Sequence, residues 1–322
     1  MLILMVDFLG TYAGQAAGLA TSVLWTFTSI FFTSASKRLG ATILNSYRIF
    51  VAVLLLTLTH RVLQHYWIPQ ALPRQFLFLA LSGVIGLSIG DLALFRAFID
   101  IGPRRSMLVM TTAPIFAALF GWMALGETLP PFAWIGIALV ISGVSWVILE
   151  RPKRATDDSP GLLWRGTLLA FFAAACQAAG LLFSKQGMGH GWAAKEQYIQ
   201  PETATLIRMF FAALGTMPIL ALYIWRQSMR PSPSYLTPRA GSRKTGFLYG
   251  TAGACVGPYL GVWMSLVASD RAPLGIAQTL CSLTPIFILP FVATIYKEQI
   301  TMRAFFGAVV AVAGVALLFL IH

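Results

Sequence analysis

The sequence predicts an all-α membrane protein with about ten transmembrane helices, which form two inverted repeats of five helices. Three observations support this fold class. The composition is too apolar for a water-facing surface, the apolar residues form segments long enough to cross a bilayer, and the two halves of the chain share a pattern. Together they indicate a chain that lies within a membrane along most of its length.

The composition excludes an ordinary soluble protein. Hydrophobic residues make up 57% of the 322 positions, charged residues make up 11%, and the mean hydropathy is +0.76. Soluble domains carry about 25% charged residues because their surfaces face water. A chain with so few charges needs membrane lipid as a partner around most of its surface.

The net charge of +12 does not indicate a nucleic-acid-binding protein. The basic residues lie in short polar gaps between the apolar segments, a distribution typical of the loops of membrane proteins. No nucleic-acid partner is therefore expected.

The cysteines and the N-terminus add two further expectations. Cys176, Cys255 and Cys281 lie in apolar segments without the spacing of metal ligands, so neither a disulfide framework nor a metal site is predicted. Residues 1–10 have no basic region and no clear cleavage site, so we expect the first transmembrane helix to direct insertion.

The apolar segments have the length of transmembrane helices, since a bilayer core about 30 Å thick needs roughly 20 helical residues. We predict a first five-helix repeat over residues 1–150, a polar linker over residues 151–160 and a second repeat over residues 161–322. The predicted helices lie at 14–36, 43–62, 75–97, 104–125 and 131–149 in the first repeat, and at 163–186, 203–224, 246–268, 273–295 and 302–321 in the second.

The two halves align when the sequence is shifted by 171 positions. The tripeptide Pro-Ile-Phe recurs at 114–116 and 285–287, and Glu127 coincides with Glu298. Unequal loops require other shifts for the earlier helices. With those shifts the aligned pairs are Arg48 with Arg208, and Lys37 with Lys185.

An odd number of helices in each repeat inverts the second repeat relative to the first. Inverted repeats are common in secondary transporters, whose substrate sites lie near the bilayer midplane between the repeats. Most loop arginines and lysines lie on the side opposite to the termini, which favours termini outside the cytoplasm.

Two copies of one motif carry a family resemblance. The first half contains TTAPIFAALFGWMALGE followed by IGIALVISGV, and the second contains SLTPIFILPFVATIYKE followed by FFGAVVAVAGV. Trp25, Lys37 and Trp263 and the RIF sequence of the second helix fit the same pattern. Over nearly its whole length, the chain resembles the EamA-type transporters of the drug/metabolite transporter (DMT) superfamily.

This resemblance implies a ten-helix bundle around a central cavity that moves small solutes by alternating access. The first, third, fourth, sixth, eighth and ninth helices would line the cavity. Both termini would lie in the cytoplasm, in conflict with the loop charges. Alignment of Lys37 with Lys185 places Ala173 opposite Trp25, so a role for a symmetric aromatic pair there is in doubt.

Asp91 is the strongest candidate for a functional residue. It lies inside the third apolar segment, where an ionised carboxylate is expensive and often functional. It could bind and release a proton during transport. The alternative is a structural salt bridge or hydrogen bond to a neighbouring helix.

Arg48 and Arg208 lie at equivalent positions in the second and seventh helices. They could attract an anionic group of a substrate. The alternative is a scaffold role, in which they bond carbonyl groups of neighbouring helices or extend to the membrane interface.

Further candidate substrate contacts lie on helices that the family places around the cavity. Trp25, Tyr259 and Trp263 offer broad apolar contact with one polar tip. Gln177 and Gln278 offer hydrogen bonds to a solute. The alternative for each residue is packing between helices.

Two pairs of repeated residues indicate caps and kinks. Glu127 and Glu298 are expected to cap the fifth and tenth helices, whose N-terminal amides favour a carboxylate. Pro114 and Pro285 interrupt the fourth and ninth helices at matching positions, which predicts a kink in each. Matching kinks indicate a gate or hinge near a transport site, with simple packing as the alternative.

An enzyme is not expected. The four histidines, His60, His65, His190 and His322, are expected in loops or at the terminus, away from carboxylates and cysteines. No phosphate-binding glycine loop is present, so neither ATP nor another cofactor is predicted.

The sequence therefore predicts a secondary transporter of a small organic solute or metabolite, with export, proton coupling and homo-oligomer formation left open. The location predicted is the cell membrane, which is the inner membrane of a Gram-negative cell. The alternatives are an intramembrane enzyme and a non-transporting membrane scaffold.

Overall fold

The structure is a computed structural model that describes residues 12–39, 41–148, 160–193, 197–228, 243–288, 290–291 and 302–320. Every regular element within these residues is helical, which confirms the predicted fold class. The α-helices are α1 (Ala13–Leu39), α2 (Ala41–Gln64), α3 (Pro73–Ser82), α4 (Asp91–Met110), α5 (Ala113–Leu125), α6 (Pro131–Ile148), α7 (Pro160–Gly187), α8 (Pro201–Ser228), α9 (Arg243–Ala254), α10 (Val262–Arg271), α11 (Leu274–Cys281), α12 (Thr284–Phe287) and α13 (Met302–Phe319). A π-helical segment, Gly83–Gly90, joins α3 to α4, and a second, Cys255–Gly261, joins α9 to α10.

The helices are those of a multi-pass membrane protein. In the part of the chain that the structure describes, eight helical stretches are long and apolar enough to cross a membrane. Two shorter apolar stretches, Leu274–Phe287 and Phe305–Phe319, follow them. The number of ten transmembrane helices stays a prediction, because residues 292–301 lie outside the described residues.

Helices of the two halves pack as counterparts. α6 packs against α13, α5 against α11, and α2 against α8. α1 packs along α9 and α10, while its counterpart α7 packs along α3 and α4. These packing contacts of one half therefore recur with the counterpart helices of the other half. This arrangement is expected for two inverted copies related by one pseudo-twofold axis.

The two ends of the described chain lie on one face of the bundle. The Tyr12 and Phe319 rings stack with their centroids 5.6 Å apart, and Gly14 lies against Arg271 and Ala272. We call this face the terminal face. The opposite face holds the C-terminal end of α1 and the N-terminal ends of α7 and α9.

The two π-helical segments lie at matching positions in the halves. The shift of 171 residues superposes Gly86 of the first segment on Gly257 of the second. A Cβ on Gly86 would lie 3.3 Å from the Cα of Gly180 in α7, and one on Gly257 would lie 2.6 Å from the hydroxyl of Thr28 in α1. Glycine therefore lets α7 and α1 approach these segments closely. The sequence predicts neither segment.

Gly143→Ala tests the contact between α6 and α13. The new Cβ would overlap the carbonyl oxygen of Gly307 and lie 2.6 Å from the amide nitrogen of Ala311. Because both neighbours are backbone atoms, the helices must separate, and we expect a destabilisation of about 1–3 kcal/mol. The control is Gly161→Ala, since nothing lies within 4 Å of the Cβ position of Gly161. Thermal unfolding of the detergent-purified protein is the measurement, and equal melting temperatures for the two variants would contradict the contact.

Candidate functional site

Arg48 and Asp91 form an ion pair inside the bundle. Arg48 Nη2 donates to Asp91 Oδ2 at 2.6 Å, and Arg48 Nε donates to Asn45 Oδ1 at 2.8 Å. The Arg48 guanidinium also lies over the Phe32 ring, 5.7 Å from its centroid. The side chains of Arg48 and Asp91 are 18% and 19% exposed. The structure thus contains the salt bridge that was one of the two alternatives for Asp91, and the proton-coupling role stays a prediction.

Arg208 occupies a different environment from Arg48. It is only 1% exposed, and its Nε has no hydrogen-bond partner. Its Nη2 atom is 3.0 Å from the Cβ position of Gly86 and 3.3 Å from that of Gly180, so the guanidinium lies where α7 meets the first π-helical segment. Within the described residues, no ion pair or hydrogen bond holds it.

The two arginines approach Asp91 from opposite faces of the bundle. Each lies about 10 Å along its helix from the first residue, which is Ala41 in α2 and Pro201 in α8. α2 starts at the opposite face and α8 at the terminal face. Arg48 bonds Asp91 directly, whereas Arg208 acts on it only through longer-range attraction. The sequence equivalence of the arginines therefore does not extend to their partners.

The three predicted aromatic residues lie together beside the second π-helical segment. A Cβ on Gly261 would lie 2.8 Å from Trp25 Nε1, and the hydroxyls of Tyr259 and Thr59 share a hydrogen bond of 2.6 Å. The ring centroids of Tyr259 and Trp263 are 6.2 Å apart. The structure thus groups these side chains where α1 and α2 meet the eighth predicted helix.

Gln177 and Gln278 are not part of either group. Gln177 is partly buried in α7, and Gln278 is 4% exposed in α11. Neither side-chain amide bonds another described residue. Their predicted roles as substrate contacts are untested and stay predictions.

The fourth and ninth predicted helices break at matching positions. Residues 111–112 separate α4 from α5, and residues 282–283 separate α11 from α12. Pro114 and Pro285 lie in the first turn of the helix that follows each break. A proline ring clashes with the carbonyl group four residues earlier, which here is the last residue of the preceding helix. The predicted interruptions are therefore present, and their gating role stays a prediction.

Hydroxyl groups satisfy backbone atoms at these breaks. Ser22 of α1 donates to the carbonyl of Leu280 and accepts from the amide of Leu283 at 3.1 Å. The counterpart of Ser22 in the repeat is Ala170, which has no hydroxyl. At the first break Thr111 instead donates to a carbonyl of its own helix, at 2.6 Å. The two breaks match in position, but a hydroxyl of another helix bonds the backbone at the second break and a hydroxyl of the same helix does so at the first.

Glu127 joins three helices at the terminal face. Its Oε1 accepts from Lys185 Nζ at 2.6 Å, and its Oε2 accepts from the backbone amide of Leu274 at 2.7 Å. Lys185 Nζ also donates to the carbonyl of Ala272 at 2.8 Å. The expectation that Glu127 caps the fifth helix is wrong, because that helix begins only at Pro131 and the carboxylate caps α11.

The turn after α5 directs Glu127 towards α11. Gly126 ends α5 with a φ of +68°, in the left-handed region that favours glycine. A Cβ on Gly121 would lie 2.5 Å from Glu127 Oε2, so the carboxylate lies close against the backbone of α5. The repeat counterparts cannot be compared, since Glu298 and the Lys37 side chain lie outside the described residues.

Two histidines differ from the sequence prediction. His60 lies within α2, is 1% exposed and bonds a hydroxyl of α8 through Nδ1. His190 Nε2 lies 2.7 Å from Asp270 Oδ1, so the expectation of no nearby carboxylate is wrong. The chain after α7 turns back over the end of α10, which brings the two side chains together. His65 lies in the connection after α2, and His322 lies outside the described residues.

Asp270 has a second partner at the terminal face. Tyr198 donates its hydroxyl to Asp270 Oδ2 at 2.8 Å. Burial, together with this hydrogen bond, raises the pKa of Tyr198 above its ordinary value, so the phenol stays protonated at neutral pH.

An ion pair also closes the bundle at the opposite face. Arg165 of α7 donates two hydrogen bonds to Asp100 of α4, at 2.8 and 2.6 Å. These bonds lower the pKa of Asp100, so it stays ionised to a more acidic pH than a free aspartate. Polar contacts thus join the halves at both faces.

Lys185, Asp270 and Ser22 have clear structural roles but were not among the predicted candidates. Lys185 and Glu127 each have a counterpart in the repeat, and this signal could have identified their pair. Asp270 aligns with Ile99 and Ser22 with Ala170, so the repeat gave no signal for either residue.

These features define a multi-pass helical membrane protein with a two-repeat fold. A sequence profile of the EamA-like transporter family matches residues 13–149 and, again, residues 164–320. The chain belongs to the EamA-like transporter family, which is part of the drug/metabolite transporter superfamily.

Curated relatives align with part of the chain. An S-adenosylmethionine/S-adenosylhomocysteine transporter of Chlamydia muridarum is 27% identical over 119 residues, which are 36% of this chain and 37% of that protein. A transporter of the same name from Chlamydia trachomatis serovar L2 is also 27% identical over 119 residues, which are 36% of each chain. The aligned region thus spans little more than a third of these relatives.

A solved structure shares the whole fold. One crystal structure superposes with a TM-score of 0.73 over 95% of this chain and 96% of the other, at 17% sequence identity. At this identity the likeness concerns the fold alone.

A double-mutant cycle tests the Glu127–Lys185 pair. Lys185→Met leaves the carboxylate without its cation, and Glu127→Gln leaves the ammonium without its anion, so each single variant should unfold at a lower temperature. The double variant should lose less than the sum of the two, by about 1–3 kcal/mol, because the residues are in contact. Unfolding free energies in detergent are the measurement. Strictly additive losses would contradict the pair.

Proposed function

We propose that the protein is a secondary transporter that moves a small organic solute or metabolite across the cell membrane by alternating access. The observation that carries the proposal is the exchanged packing of counterpart helices around two helix breaks at matching positions. Two inverted copies can exchange conformations, so that a site between them opens to one face and then to the other.

The substrate site of this proposal lies between the two π-helical segments. Asp91 and Arg208 lie beside the first segment, and Trp25, Tyr259 and Trp263 lie beside the second. Charged groups beside one segment and aromatic rings beside the other suit a solute that has both an apolar part and a charged part. Gln177, Gln278 and Arg48 are the other side chains assigned to this site.

The Glu127–Lys185 pair is the gate of the proposal at the terminal face. It ties the end of α7 to the start of α11, two helices of the proposed cavity wall. Its counterparts in the repeat are Glu298 and Lys37. In an inverted copy this second pair would close the opposite face when the first pair opens.

The proposed location is the cell membrane, or the inner membrane of a Gram-negative cell. A proton gradient is the proposed energy source, with Asp91 as the coupling residue. Protonation of Asp91 would remove the charge that holds Arg48 at 2.6 Å and would free this arginine to move. The reported function of the relatives makes S-adenosylmethionine and S-adenosylhomocysteine the first solutes to test.

Flux into proteoliposomes tests the proposal. The purified full chain should exchange at least one radiolabelled solute, in a panel that begins with S-adenosylmethionine, at least tenfold faster than liposomes without protein. The Gly161→Ala protein should match the wild type. A folded protein that moves no solute of a broad metabolite panel would contradict transport.

Asp91→Asn tests the proton coupling separately. The asparagine has no charge to gain or lose, so exchange by this variant should lose its dependence on pH between 5 and 8, as judged against the wild type in the same liposomes. The double variant Arg48→Gln/Asp91→Asn removes the ion pair as a unit and controls for an unpaired arginine. Unchanged pH-dependent transport in both variants would rule out Asp91 as the coupling residue.

A further inference from the structure

Arg208 carries a positive charge that no described residue neutralises with an ion pair. Among the arginine, lysine, aspartate and glutamate residues that the structure describes, it is the one exposed by less than 2%. Asp91, the carboxylate that attracts it, is already bonded to Arg48 at 2.6 Å. Among the described residues, two arginines thus share this carboxylate, and Arg208 has no ion-pair partner of its own. A buried charge without a partner is expensive and marks a functional position.

The N–H groups of Arg208 donate no hydrogen bond to the described backbone around them. The nearest part of α7 is Gly180, whose carbonyl oxygen lies 2.6 Å from the Ser82 hydroxyl and 2.9 Å from the Ser184 hydroxyl, and these two hydroxyls lie 2.6 Å from each other. The serine hydroxyls therefore take the place of the guanidinium as side-chain donors to this carbonyl. Arg208 Nε has no partner, and nothing in the described residues bonds the rest of the guanidinium.

The two glycines let the guanidinium pack directly against the backbones of α7 and of the first π-helical segment. Gly86 and Gly180 carry no side chain there, and a Cβ on either would lie within 3.3 Å of Arg208 Nη2. This contact lies where α7 meets the first π-helical segment, on two elements that the proposed function places around the cavity. In this conformation the guanidinium and the two glycine backbones fill the space between them, so a ligand reaches Arg208 only when α7 and the segment separate.

We propose that Arg208, which packs against Gly86 and Gly180, forms a subsite for the carboxylate group of an organic acid or amino acid in the conformation that separates α7 from the first π-helical segment. A guanidinium holds its donors in a planar fork that matches the two oxygens of a carboxylate. The excess is a single charge, and Asp91 lies within electrostatic range, so a monoanion fits better than a doubly charged phosphate. The inference rests on the proposed function, because it names the class of solute that the transporter would bind.

Binding to matched acids and amides tests the subsite. The full chain, purified in detergent, is titrated with organic acids and amino acids, each beside its neutral carboxamide, starting with phenylacetate and phenylacetamide and with phenylalanine and phenylalaninamide. Ligand-induced thermal stabilisation gives the apparent Kd. We expect at least one acid to bind tenfold or more tightly than its amide.

Arg208→Met should bring that ratio to about one and leave the affinity for the amide unchanged. Arg208→Lys keeps the charge but loses the fork, so it should retain part of the preference. Gly86→Ala puts a Cβ 3.0 Å from Nη2 and should lower the ratio without a change of charge. If Arg208→Met does not fold, the lysine and alanine variants decide the question.

Two results would overturn the subsite. In the first, no acid of the panel binds more tightly than its amide. In the second, the preference for acids survives in the Arg208 variants, which would leave this arginine only a structural role between α7 and α8. Either result leaves transport itself intact if the proteoliposomes exchange neutral solutes or cations. A protein that exchanges no solute at all would remove the proposed function instead.

Discussion

A bilayer core offers no hydrogen bonds, and this constraint explains most of the unusual features of the structure. Every backbone group freed by a helix break must find a partner inside the protein. Ser22 meets this need at one break and Thr111 at the other. The amide of Leu274 at the start of α11 finds its partner in Glu127. At the break after α11 and at both π-helical segments, the irregular backbone thus lies where the two halves touch.

The same constraint makes the charges informative. Glu127 forms an ion pair with Lys185, and Asp100 forms one with Arg165; both pairs join the two halves. Asp91 forms an ion pair with Arg48 within the first half. Arg208 stands apart, buried and without an ion pair in the described residues. The structural pairs and the unpaired arginine therefore have different roles. The pairs join helices within the bundle, whereas Arg208 is the residue that we propose binds the carboxylate of a solute.

The fold was largely readable from the sequence, because apolar segments of membrane length and a repeat with a constant shift are strong signals. The breaks before Pro114 and Pro285 were readable for the same reason. The π-helical segments were not, since a glycine such as Gly86 indicates close approach without specifying a change of helical type. The partners of Glu127 and His190 were missed because they depend on how distant helices meet, which no local pattern records.

The central claim is that the two halves exchange states through counterpart gates, and distances across the terminal face test it most directly. Spin labels at positions 123 and 271, in a background without native cysteines, would report the separation of α5 and α10 by pulsed electron resonance. Glu127→Gln should increase the population with a long distance, whereas Glu298→Gln should decrease it. A shift in the same direction for both variants, or no shift in either, would contradict the claim.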